Sequence, residues 1–292
     1  MEIRVLKYFL AVAREQNISN AATSFHLTQP TLSRQLKDLE NEIGTTLFIR
    51  GKRKIILTDD GLLFRKRAEE IIDLVDKTQS EFLNLSNTVS GEIFIGSGET
   101  LGMNFITNTL NKLHIDYPNI RYNIFSGNGD DVCEKLDNGL LDFGLLLEPV
   151  DISKYSYLKL PYYDTWGVLM RKNCELAKKD IISPKDLIDK PLICSRQSLF
   201  KNGLSNWIGT DYENLNIIGT YNLIFNAALM VKSGLGYALC LDNLIDTTAN
   251  KDLCFRPIVN SEHANLILVW KKNQIFSKPA EKFLEYVFMI YI

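Results

Sequence analysis

The fold of the N-terminal part is decided by residues 17–44, which read NISNAATSFHLTQPTLSRQLKDLENEIG. This pattern predicts two helices joined by a tight turn around His26-Leu27. Ser19 is the expected N-cap of the first helix, because its hydroxyl can accept a hydrogen bond from an unpaired backbone N–H. The small side chains of Ala21-Ala22 let the second helix come close. The stretch therefore predicts a helix-turn-helix.

The second helix of this stretch has clear start and stop signals. Thr28 or Gln29 can cap it, and Pro30 then lies in the first turn, where no intrahelical N–H is missed. Gly44 is suited to end it. Apolar side chains at spacings of four, three and four share one face, which we expect to be buried: Leu32, Leu36, Leu39 and Ile43.

The opposite face of the second helix carries short polar and cationic side chains. Such a face suits a helix that reads the major groove, because Arg can fork onto guanine and Gln onto adenine, while Ser or Lys can bind phosphate. On periodicity alone, an ordinary solvated helix surface explains the pattern equally well. The candidate DNA-contacting residues of this helix are Gln29, Pro30, Thr31, Ser33, Arg34 and Lys37.

An ordered set of short motifs runs through the first 58 residues. The set comprises Leu6-Lys7-Tyr8-Phe9, Ala21-Ala22, Gln29-Pro30-Thr31-Leu32-Ser33-Arg34-Gln35-Leu36, Leu39-Glu40, Leu47-Phe48 and Leu57-Thr58. Together these motifs resemble the N-terminal domain of LysR-type transcriptional regulators, and the resemblance continues more weakly to the C-terminus. It implies a sequence-specific DNA-binding regulator controlled by a small-molecule effector, with no enzymatic activity.

Charge is distributed unevenly along the chain of 292 residues, a length that suggests about two domains. Residues 1–58 carry nine Lys and Arg against five acids, a net charge of +4. The whole chain has a net charge of −2, which leaves −6 for the rest. A basic N-terminal part on an acidic remainder favours DNA binding at one end.

The five cysteines are scattered and show no Cys-x-x-Cys pairing. We interpret them as reduced thiols of a cytoplasmic protein, and neither a disulfide framework nor a zinc site is expected. The three histidines lie far apart, which argues against a metal or general-base role. There is no apolar run long enough for a membrane span and no signal peptide. No cofactor is implied.

A basic loop follows the helix-turn-helix. Short strands are predicted at Leu47-Phe48-Ile49 and Ile55-Ile56-Leu57, and Gly51 supplies the turn between them. This arrangement predicts a winged helix-turn-helix whose wing contacts backbone phosphate or an adjacent minor groove. A solvated basic loop is the alternative. The candidate wing contacts are Arg50, Lys52, Arg53 and Lys54.

A long linker helix is predicted next, capped by Thr58 and running to about Leu85. Apolar side chains spaced four and three apart form a heptad seam that needs a partner helix: Phe64, Ala68, Ile71, Val75, Thr78, Phe82 and Leu85. The family resemblance implies an antiparallel linker-helix dimer and, typically, a tetramer. Two reading helices would then meet half-sites about 34 Å apart, or a multiple of that distance.

The remaining sequence alternates predicted strands and helices, which favours an α/β fold with parallel sheets. The predicted strands are Ile93–Ile95, Ile120–Phe125, Leu141–Leu147, Trp166–Met170, Pro191–Cys194, Gly236–Leu241 and Asn265–Lys271. A closing amphipathic helix is predicted at Lys278–Tyr291. We expect a winged helix-turn-helix domain at 1–58, a linker and hinge at 59–90, and a two-lobed domain at 91–292. Lobe I covers about 91–160 and 262–292, and lobe II about 161–261. By resemblance this last domain is an effector domain similar to periplasmic binding proteins. Leu241-Asp242 departs from the Leu-Pro that is frequent in the family.

Ligand contacts are expected beyond the C-terminal ends of strands. By position in the resemblance, Thr100 and Asn128 match effector-contact positions on one lobe, and Ser195 and Arg196 belong to the facing loop of the other. Arg196 could pair with a carboxylate effector. Each of these residues could equally be an ordinary loop or turn residue.

Two alternatives to a ligand-controlled regulator stay open at this point. Gly96–Gly102 reads G-x-G-x-x-x-G, one residue away from a dinucleotide-binding fingerprint. An enzyme could therefore use this loop to bind a nucleotide. The C-terminal domain could instead serve only in assembly of a DNA-binding protein.

Overall fold

The computed structural model describes residues 1–51, 54–83, 89–196, 215–248, 252–259 and 264–291. The chain divides into an N-terminal unit, Met1–Leu83, and a C-terminal unit, Asn84–Ile292. The predicted contacts of Lys52 and Arg53, the hinge at residues 84–88 and most of the loop after Arg196 lie outside the described residues.

Three helices build the centre of the N-terminal unit: α1 (Ile3–Glu15), α2 (Ile18–Ser24) and α3 (Gln29–Ile43). The predicted cap of α2 was wrong. Asn17, not Ser19, caps it, with its side-chain oxygen 2.8 Å from Ser19 N and 3.2 Å from Asn20 N. The helix begins two residues earlier than expected because Ile18 is buried in the core, which places Ser19 inside the first turn.

The start and end of α3 are as predicted. Thr28 is the cap, and Gly44 ends the helix with a φ of 82°, in the left-handed region that glycine adopts at little cost. The leucine face is buried against α1, where Phe9 is fully covered. Ile43 is the exception, since 40% of its surface is exposed at the last turn.

The wing is an antiparallel pair of short strands, β1 (Phe48–Arg50) and β2 (Ile55–Leu57). Both strands are fastened to the helices. The Glu40 side chain of α3 accepts hydrogen bonds from Leu47 N at 2.8 Å and Phe48 N at 3.1 Å. Ile55 N donates to Gln16 O, at the end of α1, over 3.0 Å. The wing therefore holds a fixed position relative to α3.

Helix α4 (Asp59–Leu83) is the predicted linker helix, and its predicted end at Leu85 lies outside the described residues. Thr58 caps it by accepting a hydrogen bond from Gly61 N at 2.9 Å. The apolar seam is not uniform. Phe64 and Ala68 pack into the core of the N-terminal unit, whereas 66% of Phe82 is exposed. The first turns of the seam are thus already covered within the chain.

The C-terminal unit contains ten strands and four α-helices within the described residues. In chain order these are β3 (Gly91–Ser97), α5 (Met103–Asp116), β4 (Ile120–Ser126), α6 (Gly129–Asp137), β5 (Phe143–Leu147), β6 (Tyr155–Asp164), β7 (Trp166–Arg171), β8 (Leu192–Ser195), β9 (Ile217–Tyr221), α7 (Ile224–Lys232), β10 (Tyr237–Leu241), β11 (Leu253–Pro257), β12 (Ala264–Lys271) and α8 (Lys278–Tyr291). Short 3₁₀ turns lie at Glu175–Lys178 and Pro184–Asp186.

These strands form two five-stranded sheets, in the orders β4-β3-β5-β12-β6 and β11-β7-β10-β8-β9. The chain crosses to the second sheet after Asp164 and returns before Ala264. Each sheet has its own apolar clusters, with Phe143 and Leu268 in the first and Val168 and Leu239 in the second. The two-lobed α/β architecture expected from the sequence is therefore present.

The prediction of parallel sheets was right only in part, because both sheets are mixed. Strand β3 runs parallel to β4 and β5, and β8 runs parallel to β9 and β10. Strand β12 runs antiparallel to both β5 and β6, and β7 runs antiparallel to β10 and β11. These antiparallel pairs arise because the chain passes between the lobes twice, so the crossing strands enter each sheet against the βαβ direction. Strands β6, β9 and β11 were not predicted. Each lies at a sheet edge, where one-sided burial weakens the apolar signal.

Replacing Gly61 with Ala is expected to destabilise the N-terminal unit by about 1–3 kcal/mol, the usual cost of an extra methyl group in a packed site. A Cβ atom there would lie 2.2 Å from Leu47 O, a backbone atom that cannot move without shifting β1. Denaturant unfolding of the full chain, followed by circular dichroism, measures the loss.

Gly98→Ala is the matched control for this change. The nearest atom to its added Cβ, Gly127 O, lies at an ordinary contact distance of 3.6 Å. Equal losses of stability in the two variants would contradict the packing explanation.

Candidate functional site

The outer face of α3 is the candidate nucleic-acid interface. Its first turn is ordered by Thr28, whose hydroxyl oxygen accepts a hydrogen bond from Thr31 N at 3.4 Å. Because the leucines point inward, the predicted DNA-contacting side chains lie on the surface. Those of Gln29, Pro30, Thr31, Arg34 and Lys37 are exposed, and that of Ser33 is half-buried.

Arg34 is the most prominent cation on this face. Its side chain is 83% exposed, and its Nε lies 3.9 Å from an oxygen of Asp38, one helical turn later. An exposed pair at this distance contributes little free energy, because water screens the two charges. The guanidinium can therefore leave Asp38 for a base or a phosphate at small cost.

The wing tip is closed by its backbone. Gly51 N donates to Lys54 O over 3.0 Å, and a Cβ at Gly51 would lie 2.8 Å from the same oxygen. This close approach explains why residue 51 is a glycine. Lys54 is exposed beside the turn, whereas Arg50 is described only as the last residue of β1.

A cleft of about 260 Å³ lies beyond the C-terminal end of β3. Seven of its lining residues come from the first sheet side and one, Leu244, follows β10 of the second sheet. The lining residues are Ser97, Gly98, Glu99, Thr100, Met103, Ile124, Ser126 and Leu244. Its wall combines hydroxyls, apolar side chains and one acid, which suits a small molecule with both polar and apolar parts.

Of the four predicted ligand contacts, the structure places Thr100 in the wall of this cleft. Asn128 instead caps α6, and its side-chain oxygen accepts from Asp130 N at 2.9 Å and Asp131 N at 3.0 Å. Ser195 ends β8 and Arg196 follows it with an exposed side chain. Among the described residues, these three are not part of the cleft wall.

Thr100 connects the cleft to the point where the chain changes sheet. Its hydroxyl donates to the carboxylate of Asp164 and accepts from Gly102 N at 3.0 Å. Asp164 is only 1% exposed. Burial first, and then the charge of Asp242, raise the pKa of Asp164, while hydrogen bonds from Thr100 and Leu101 N oppose the shift.

Two of the three glycines of the Gly96–Gly102 loop are required by packing. A Cβ at Gly96 would lie 2.5 Å from Leu141 Cδ1, and one at Gly102 would lie 2.4 Å from Leu266 Cδ1. Both positions face apolar side chains of the protein itself. Close approach of a nucleotide is therefore not needed to explain them, which weakens the nucleotide alternative.

Glu99 is the lining residue that sequence reasoning missed. Its carboxylate accepts a hydrogen bond from Ile224 N, the first residue of α7 in the second sheet's lobe. The residues involved are 125 positions apart. The available signal was an acid inside a glycine-rich loop, but its partner could not be identified without the fold.

The described residues also bear on metal sites and on membrane-spanning helices. They contain no group of three or more His, Cys, Asp or Glu side chains placed to hold a metal ion. Within the same part of the chain, none of the helices has both the length and the apolar character needed to span a bilayer.

Comparison with known proteins gives consistent matches over both units. The family model for the bacterial regulatory helix-turn-helix protein, lysR family, matches residues 3–62, and that for the LysR substrate binding domain matches residues 86–288. The HTH-type transcriptional regulator BsdA of Bacillus subtilis is 28% identical, over 98% of this chain and 99% of BsdA. The Hca operon transcriptional activator HcaR of Escherichia coli is 28% identical, over 96% and 94%.

Solved structures show the same fold. The crystal structure of CbnR, a LysR family transcriptional regulator, has a TM-score of 0.75 at 18% identity and covers 100% of both chains. Full-length CbnR complexed with its target DNA has a TM-score of 0.72 at 19% identity, with 99% of each chain covered.

The buried carboxyl of Asp164 predicts a pH dependence of stability. Burial raises its pKa above the ordinary 3.8, so the folded chain binds the proton more tightly than the unfolded chain does. The stabilisation is present below that value and is lost as pH rises through the raised pKa. Asp164→Asn removes this loss, so the unfolding free energy of the variant minus that of wild type should rise as the pH rises from the ordinary carboxyl range through the raised pKa.

Denaturant unfolding at several pH values measures this difference. The control is Asp180→Asn, which changes an exposed carboxyl of the same unit. A difference for Asp164→Asn that stays constant with pH would contradict the expectation.

Proposed function

The chain belongs to the LysR family of DNA-binding transcriptional regulators, and we propose that α3 reads its operator while a small molecule in the cleft controls it. The observation that carries this proposal is the division of α3 into two faces. Burial of Leu32, Leu36 and Leu39 fixes the helix so that Arg34 and Lys37 face outward. CbnR, which has the same fold, has been solved in complex with its target DNA, and this supports a DNA-binding role for the chain.

We assign the roles along the chain as follows. Residues 1–58 bind DNA, 59–90 form the linker and hinge, and 91–292 bind the effector. Lobe I comprises about 91–160 and 262–292, and lobe II about 161–261. The proposed DNA contacts are Gln29, Pro30, Thr31, Ser33, Arg34, Lys37, Arg50, Lys52, Arg53 and Lys54. A regulator of this kind works where the DNA is, so we propose that it acts in the cytoplasm. This role needs no enzymatic activity.

Arg34→Ala should weaken binding to the specific operator by about 1–3 kcal/mol if the guanidinium contacts a base. Binding to random duplex DNA should change little. An operator selected from a random library, followed by electrophoretic shift on operator and random duplexes, measures both losses. The control is Arg65→Ala, which removes the same charge from α4, where Arg65 pairs with Glu69 at 2.8 Å.

Two other outcomes of this experiment are informative. Equal losses on operator and random DNA would make Arg34 a phosphate contact. Wild-type binding to the operator by Arg34→Ala would contradict the role given to α3.

The linker helix supports self-association. The later part of its seam exposes Ile71 and Phe82, by 36% and 66%. An exposed apolar row at heptad spacing is stabilised by a second helix. We therefore propose a dimer through α4 and a tetramer built from two such dimers, as in the family.

Phe82→Glu should shift the full chain toward monomer in sedimentation velocity, because it places a charge in the proposed helix contact. The matched control is Leu62→Glu, since Leu62 is 55% exposed but lies off the seam. Unchanged sedimentation of Phe82→Glu at micromolar concentration would contradict a dimer through this seam.

The effector is proposed to be a small organic molecule, with a carboxylate as the first candidate. The proposed contacts are Thr100, which lies in the cleft wall, and Asn128, Ser195 and Arg196, of which Arg196 supplies the positive charge for a carboxylate. A thermal-shift screen of full-length protein against organic acids, amino acids and aromatics should find a stabilising ligand. At a hundred times its dissociation constant, a ligand contributes about 2.7 kcal/mol.

Arg196→Ala should remove the thermal shift given by a carboxylate hit. Arg171→Ala, at another exposed arginine of the same lobe, should retain it. Equal shifts in both variants would exclude Arg196 as the carboxylate contact. A screen without any stabilising compound would favour a C-terminal unit that serves only in assembly.

A further inference from the structure

Helix α7 has no N-terminal cap of its own. Its N-cap residue, Leu223, offers no side-chain hydrogen bond, and Asn222 is bonded instead to Leu223 N at 3.0 Å. The first N–H groups of a helix need acceptors, which are normally supplied by a nearby side chain. Here the acceptor for Ile224 N is the carboxylate of Glu99, from the loop after β3.

This hydrogen bond joins the two lobes. Glu99 follows a strand of the first sheet, and Ile224 begins the helix that packs on the second. Both the chain crossing after Asp164 and the one before Ala264 lie elsewhere in the sequence. The contact of Glu99 with α7 is therefore a non-covalent link between the lobes, and Glu99 lies in the wall of the cleft.

Two opposing effects act on the charged form of Glu99 at this point. The N-terminus of a helix attracts negative charge. Burial nevertheless raises the pKa of Glu99, against the lowering effect of the hydrogen bond from Ile224 N, so part of the attraction is offset by lost hydration. Tyr221 and Cys240 of the second sheet face the same carboxylate. Burial is the main cause that raises the pKa of both groups, and the charge of Glu99 adds a smaller effect in the same direction.

We propose that Glu99 is a latch between the two lobes, which holds α7 by its first N–H and releases it when the cleft opens. This inference rests on the proposed function only in taking the cleft as the effector site. A capping hydrogen bond whose acceptor lies in one lobe and whose donor lies in the other breaks when the lobes separate. A cap within one lobe is unaffected by that separation. Effector binding in the cleft would therefore act on lobe separation through Glu99.

Hydrogen exchange of the full-length protein tests the latch without DNA or effector. Glu99→Asp keeps the charge but shortens the side chain by one methylene group. It should raise the exchange rate about tenfold in the peptide that contains Ile224 and in the peptide that contains Gly102. Asp130 and Asp131, whose N–H groups are held by Asn128, provide an internal control that should not change.

A second variant separates a latch from a simple helix cap. Leu223→Ser gives α7 its own cap, because Leu223 already has extended backbone angles, φ −124° and ψ 139°. Added to Glu99→Asp, it should restore protection at the start of α7 but not in the Gly102 peptide.

The outcomes decide the proposal. Restored protection in both peptides would make Glu99 only a cap, and unchanged exchange in Glu99→Asp would exclude the latch. If Glu99→Asp does not fold, Glu99→Gln, which keeps the length of the side chain without its charge, replaces it. The variant should exchange faster than wild type in the same two peptides, and no increase there would overturn the latch. Failure of the latch leaves operator binding intact, so it is distinguishable from failure of the proposed function.

Discussion

Burial of the leucine face of α3 against α1 is the constraint on which the N-terminal unit depends. Three leucines of α3 and Phe9 of α1 are almost fully covered. A rotation of α3 about its axis would expose these side chains, at a cost of about 1.5–3 kcal/mol for each one. The polar face is thereby fixed in direction. Glu40, on the same helix, then ties the wing to it, so helix and wing present one continuous surface.

In the C-terminal unit the equivalent constraint is the double passage of the chain between two sheets. Thr165, at the first passage, exchanges two hydrogen bonds with Asp242: Thr165 N donates to the carboxylate at 3.0 Å, and Asp242 N donates to Thr165 O at 2.9 Å. Proline, frequent in the family at this position, could donate no such bond. The departure from Leu-Pro therefore gives this chain a paired contact beside the cleft.

The sequence predicted what local signals determine. Strong periodicity, a cap narrowed to Thr28 or Gln29 and a stop at Gly44 located α3, and Lys278–Tyr291 was predicted with the bounds that the structure has. Edge strand β9 is covered by a partner strand on one side only, and the partner of Glu99 lies 125 residues away, so no local pattern encodes either of them. Asn128 illustrates the same limit at the site, since its capping role is decided by where α6 begins.

The helices of the C-terminal unit differ in how their first turns are satisfied, and the difference follows the cleft. Helix α6 caps itself through Asn128, which leaves that side-chain oxygen committed. Helices α5 and α7 have no side chain at the N-cap position that does so. Thr100 and Glu99, both in the cleft wall, accept N–H groups at these two starts instead. The acceptors at the starts of α5 and α7 therefore lie in the cleft wall and not at the N-cap positions of the helices themselves. A ligand in the cleft would contact the same two side chains that satisfy the first turns of these helices.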